Sequence, residues 1–169
     1  MNSDVICAIS GHRFAALPFG SDEMDPRCSA LKKAIREILI DLIVSKGINV
    51  FRTGMALGCD QIVAETIIQL KNIYPQIKLQ AFIPCREQYL KWNQAQSARY
   101  RALLTHVDDI IQVNDKYNDA CMHIRNRSMV DGADILFAIY NGKKGGTSST
   151  ISYAQKQGLS IVILNPNKI

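Results

Sequence analysis

Three segments of the chain combine glycine with residues that bind anions. Ser10-Gly11-His12-Arg13 offers a hydroxyl, an imidazole and a guanidinium beside a glycine that lets backbone approach a ligand. Thr53-Gly54-Met55-Ala56-Leu57-Gly58-Cys59-Asp60 places two glycines four apart before a carboxylate. If a helix begins there, its free amides and positive end face an anion, and Asp60 either caps those amides or holds a ribose hydroxyl. Asn141-Gly142-Lys143-Lys144-Gly145-Gly146-Thr147-Ser148-Ser149 has paired glycines, adjacent lysines and hydroxyls, the composition of a phosphate cradle. Each segment also reads as an ordinary turn with solvated charges.

Other residues sit where they can join such a site. Met122, Arg125 and Met129 share one face at helical spacing, so Arg125 either snorkels to solvent or reaches an anion. Pro84-Cys85-Arg86-Glu87-Gln88-Tyr89 leads to Trp92, and Tyr89 and Trp92 either pack or stack on a base. His12, His106 and His123 lack metal-ligand spacing, so no metal and no cofactor is expected. The lysines precede the glycines, unlike a Walker A loop, and no strand is followed by G-x-G-x-x-G. No nucleophile elbow occurs.

These segments need elements to hold them. Short β-branched runs alternate with helical stripes. Strands are expected at Val5 to Ile9, Asn49 to Arg52, Leu79 to Ile83, Asp109 to Val113, Ile135 to Tyr140 and Ser160 to Leu164. Asp25-Pro26 starts a helix that Gly47 stops. Asp60 is expected to cap a helix ending near Asn72, and further helices span about Gln94 to Thr105, Asp119 to Val130 and Ser148 to Lys156. Helices between strands imply right-handed crossovers, hence a Rossmann-like three-layer α/β/α fold on a mostly parallel sheet. All 169 residues read as a single domain. In such sheets ligands bind where loops leave the carboxyl ends of the strands.

Composition narrows the class. Apolar residues are 47% and charged residues 21%, ordinary for a globular protein. The richest apolar run, Ile35 to Val44, is broken by Arg36, Glu37 and Asp41, so no membrane span is expected. Met1-Asn2-Ser3-Asp4 lacks the basic start of a secretory signal, which points to the cytoplasm. Five cysteines without C-x-x-C spacing argue for reduced, buried thiols. The net charge of +5 favours anionic partners.

At its loops the chain resembles known families. Thr53 to Asp60 resembles the S-G-x-A-x-G-I-D segment of the DNA-processing protein A family. Arg125-Asn126-Arg127, Gly132-Ala133-Asp134 and the Lys144-Gly145-Gly146-Thr147-Ser148 loop resemble the same family's later segment. That family belongs, with the lonely-guy nucleotide hydrolases, to the SLOG (SMF/DprA–LOG) superfamily of Rossmann-like folds. From first strand to last, the chain is similar to the short bacterial and phage YpsA/YoqJ-like subgroup.

Together, the residue chemistry and the resemblance point to a ligand site built from Ser10, Gly11, His12, Arg13, Thr53, Gly54, Ala56, Gly58, Asp60, Pro84, Trp92, Arg125, Asn126, Gly145, Gly146, Thr147 and Ser148. Met122-His123-Ile124-Arg125 is similar to the hydrolases' M-H-E-R, which aligns Arg125 with a catalytic arginine. Their glutamate position holds Thr150 here, and a hydroxyl carries no charge to steady a developing cation. Catalysis would then fall to Arg125 with Asp60 or Glu87.

The expected function is binding of a nucleotide or nucleotide-derived phosphate, such as an ADP-ribose-type signal, by a sensor or sequestering module. The alternatives are a nucleoside-phosphate N-glycosidase or phosphoribohydrolase and, ranked after it, single-stranded DNA binding. Self-association as a dimer is also expected.

Overall fold

The computed structural model describes residues 3–169; of the opening segment read for a leader, Met1 and Asn2 lie outside them. Six strands form one all-parallel sheet: β1 (Ile6–Gly11), β2 (Val50–Thr53), β3 (Lys78–Ile83), β4 (Asp109–Gln112), β5 (Ile135–Ile139) and β6 (Ser160–Leu164). Five helices connect them: α1 (Pro26–Lys46), α2 (Cys59–Leu70), α3 (Gln94–Leu104), α4 (Cys121–Val130) and α5 (Gly146–Lys156). The expected mostly parallel α/β/α fold is borne out, with every strand pair parallel.

Local chemistry explains the long first helix. The Asp25 side chain accepts from the Arg27 amide at 2.8 Å, and Pro26 supplies a preset φ at the first position. Cys28, Leu31, Ile35, Leu39 and Leu42 recur at spacings of three and four, and all are buried. Gly47 ends the helix at φ 70°. Beyond it the central strands are buried on both sides. Cys7 and Ile9, with Ile135, Phe137 and Ile139, face the layer of α1, α2 and α3. Ala8, Leu136 and Ala138 face α4 and α5 through Met129, Val130, Ile151 and Ala154. All five cysteines are free and buried. No described helix is long and apolar enough to cross a membrane.

The strand order is β4-β3-β2-β1-β5-β6. The chain steps outward from β1 to β4, then returns across the sheet to β5 on the other side of β1. Right-handed crossovers therefore put α1 to α3 on one face and α4 and α5 on the other. The reversal falls between β1 and β5, where connections diverge and leave a crevice. Register aligns the ends of these strands, with Ser10 beside Ala138 and Gly11 beside Ile139.

Two expectations are corrected in detail, and one element was not foreseen. Asp60 does not cap α2: Gly58 is the cap, and Asp60 lies inside the first turn with its carboxylate turned back to the Ala56 amide at 3.2 Å. The last helix begins at Gly146 rather than Ser148, because Ser148 Oγ accepts from the Gly145 amide and draws the glycine pair into the first turn. A short 3-10 turn at Phe14–Ala16 follows β1, where no periodicity foretold it.

Candidate functional site

At the reversal point lies a cavity of ≈ 480 Å³, within the range of small-molecule sites (about 300–1,000 Å³). Its walls come from the loop after β1, the loop after β2, the inward face of α4 and the loop after β5. The first and last of these are tied together: the His12 amide donates to the Ile139 carbonyl at 3.2 Å, and the Asn141 amide donates to His12 Nε2 at 3.0 Å. An accepting Nε2 means a neutral imidazole with its proton on Nδ1. Burial lowers the His12 pKa, and the charge of Lys143 acts in the same direction.

Arg125 forms the back wall. It rises from α4 and is only 4% exposed. Its Nη1 donates to the Gly54 carbonyl at 2.6 Å and, more weakly, toward Phe82 at 3.4 Å, which spans the ends of β2 and β3. Its Nε donates to Asn126 Oδ1 at 2.8 Å. No acidic side chain among the described residues reaches ion-pair distance of it. Burial presses the guanidinium toward the neutral form, yet arginine stays protonated in proteins. A cation so held gains from any anion that enters. Asp60 is the cavity's carboxylate; burial raises its pKa while Arg125 pulls the other way.

The loop after β5 adds charge and bare backbone. Lys143 and Lys144 line the cavity with Arg13, and Gly145 and Gly146 are exposed there. The Gly146 and Thr147 amides open α5, where no helical carbonyl can serve them, and the Ser148 hydroxyl takes only the Gly145 amide before them. A Cβ at Gly145 or Gly146 would meet nothing within 4 Å, so packing does not require glycine at either place.

Of the residues singled out in the sequence, Ser10, Gly11, His12, Arg13, Ala56, Asp60, Arg125, Asn126, Gly145, Gly146 and Thr147 line this cavity. Others stand behind it. Gly54 lies under Arg125, where a Cβ would be 2.4 Å from Nη1. Gly58, at φ +99°, lets the 12–14 backbone cross, since a Cβ would meet the His12 carbonyl at 2.7 Å. The Cys59 amide is also taken, donating to the His12 carbonyl at 3.0 Å, so the start of α2 is closed by protein rather than open to an anion. Thr53 Oγ1 donates to the Asp60 carbonyl, Pro84 accepts from the Asn114 amide, and Ser148 Oγ serves Gly145. Glu87 and Trp92 line a neighbouring hollow, and Tyr89 packs on Tyr100 at 5.6 Å.

With this geometry in hand, comparisons with known proteins are specific. The family model YpsA, described as the YspA SLOG family, matches residues 7–167. The chain belongs to this SLOG family. It is 33% identical over 144 residues to the SPbeta prophage-derived protein YoqJ of Bacillus subtilis (strain 168), covering 78% of this chain and 84% of YoqJ. A UPF0398 protein of Oenococcus oeni (strain ATCC BAA-331 / PSU-1) is 33% identical over 100 residues, 59% of this chain and 53% of that relative. The fold is also similar to DNA processing protein A from Helicobacter pylori, a structure described for its single-stranded DNA binding mode. That match has a TM-score of 0.63 at 19% identity and covers 96% of this chain and 66% of that one. The chain thus spans about half of one such relative and about two thirds of the structural neighbour.

For this SLOG chain the cavity also includes Ile9, Ala16, Met122, His123, Met129, Asn141, Lys143 and Lys144. Helical spacing from Arg125 already pointed at Met122 and Met129. Nothing local marked Ala16, which arrives on the unforeseen 3-10 turn. His123 stands in the M-H-E-R comparison without a place in the expected site, and it adjoins the inward stripe.

Proposed function

We propose that the cavity binds a nucleotide or nucleotide-derived phosphate and that the protein senses or sequesters it. The observation that carries this reading is Arg125, a buried cation without an acidic contact, lining a hollow that also takes in Gly146 and Thr147, whose amides open α5. Arg13, Lys143 and Lys144 surround the same space, against the single carboxylate of Asp60. An anion placed there gains charge-assisted hydrogen bonds in a site that needs little rearrangement.

A hydrolytic reading finds less support. Thr150, which stands at the glutamate position of the related hydrolases, is buried, and its Oγ1 donates to the Gly146 carbonyl at 2.9 Å. Only Asp60 remains as a cavity carboxylate, and Glu87 lies outside it. The absence of free base after incubation with nucleoside monophosphates separates binding from hydrolysis. The DNA-binding property described for the structural neighbour would engage the same cations, and it predicts affinity that falls steeply with salt across an oligonucleotide titration.

Thermal shift and calorimetry against nucleotides and ADP-ribose derivatives test the proposal. A ligand at about 100 times its Kd adds about 2.7 kcal/mol of stability. Arg125→Ala should abolish the shift while keeping a cooperative melt. No stabilisation by any ligand in the panel would end this reading.

A further inference from the structure

Beside the cationic cavity lies a second hollow of ≈ 390 Å³, lined by Arg13, Glu87, Gln88, Leu90, Lys91, Trp92, Tyr117 and Met122. Arg13 and Met122 belong to both walls, so the two spaces adjoin. Their chemistry differs. The first presents cations and amides. The second presents an indole, a phenol, a leucine and a thioether, together with Glu87, Gln88, Lys91 and the shared Arg13.

Several features here lack an explanation within the fold. Leu90 is 65% exposed and Tyr117 is 60% exposed, although both are large and apolar. Trp92 is half-buried, set edge-on against Tyr100 at 5.3 Å and 89°, and this contact fixes its plane while the hollow keeps access to it. Gln88 is nine-tenths buried; its Nε2 donates to the Tyr100 hydroxyl at 3.4 Å, and its Oε1 has no hydrogen-bond partner.

We infer that this second hollow is the base subsite of the same ligand. The ligand is then a nucleotide with its phosphate against Arg125 and the start of α5, its sugar passing Arg13 and Met122, and its base between Trp92 and Tyr117. A flat ring there covers exposed aromatic and aliphatic surface, and stacking is tolerant of base identity. Glu87, exposed on the wall of this hollow, supplies an acceptor, which favours bases that carry an exocyclic amino group. The inference rests on the anion reading of the first cavity and adds the requirement for a base.

Trp92 is the chain's single tryptophan, so its fluorescence reports this subsite directly. AMP, ADP and ribose 5-phosphate would be titrated against the full chain, with calorimetry for affinity and tryptophan emission for occupancy. AMP should bind roughly tenfold or more tighter than ribose 5-phosphate, on the scale of one stacked base, and only the base-bearing ligands should quench. Tyr117→Ala, at an exposed position where folding is safe, should remove most of that advantage and leave ribose 5-phosphate affinity unchanged. Equal affinities with unchanged emission would overturn the base subsite while leaving the phosphate site standing. Failure of all three ligands to bind would overturn both.

Discussion

Arg125 Nη1 donates to the Gly54 carbonyl at 2.6 Å, and a methyl group at residue 54 would lie 2.4 Å from that same nitrogen. The guanidinium is laid flat on the backbone of a loop 71 positions away, and glycine is what admits it. On the proposed reading, this pairing ties the strength of anion binding to the absence of a side chain outside the cavity.

Gly54→Ala should therefore act as an indirect mutation of Arg125. Overpacking of this kind costs about 1–3 kcal/mol, and relieving it displaces the guanidinium. Chemical denaturation should show a lower midpoint, and titration should show anion affinity reduced toward that of Arg125→Ala. Affinity equal to the unmutated protein would contradict the arrangement.

Two other glycine positions should separate folding from binding. Gly58 has φ +99° and the His12 carbonyl 2.7 Å from any Cβ, so Gly58→Ala should lower the melting temperature clearly. At Gly146 a Cβ meets nothing, so Gly146→Ala should keep the melting temperature and weaken ligand binding by crowding the α5 amides. A loss of stability in Gly146→Ala comparable to that in Gly58→Ala would refute the distinction.

Acid should loosen the cavity before it unfolds the protein. Burial lowers the His12 pKa below its ordinary 6.5, so the folded state favours neutral imidazole. The stabilisation is complete above the unfolded value and is lost progressively as pH falls from there toward the lower folded value. Its structural counterpart is the Asn141 amide on Nε2, which a proton would displace. Melting temperature followed between pH 7.5 and about 5 should fall more for the unmutated chain than for His12→Gln; parallel curves would count against this role.

The sequence was most legible where the chemistry is local. Asp25, Pro26 and Gly47 bound α1 as their side chains and φ preferences require. The alternation of Cys7, Ala8 and Ile9 between two faces gave a strand covered on both sides. At the site, the loops after β1 and β5 and the inward stripe of α4 could be read because each is a short segment with its own donors. The job of each glycine could not be read, since a glycine that admits a ligand and one that admits another stretch of protein look the same. Gly54 and Gly58 proved to be the second kind, each serving a partner far along the chain. Tyr117 escaped notice for a related reason: its segment has no periodicity, and only the fold brings it to Trp92.

The adjacency of β1 and β5 also sets a timetable. Ile6 donates its amide to the Asp134 carboxylate at 2.8 Å, a contact between positions 128 apart. During synthesis, a chain released only as far as β4 already holds α1, α2 and the first glycine loop, yet has neither the β5 neighbour of β1 nor the lysines of residues 143 and 144. On the proposed reading, a ligand meets the full set of cavity groups only once residues 143 to 147 have been made and β5 has joined β1, so it would add stability to the assembled cavity and not to the partial chain.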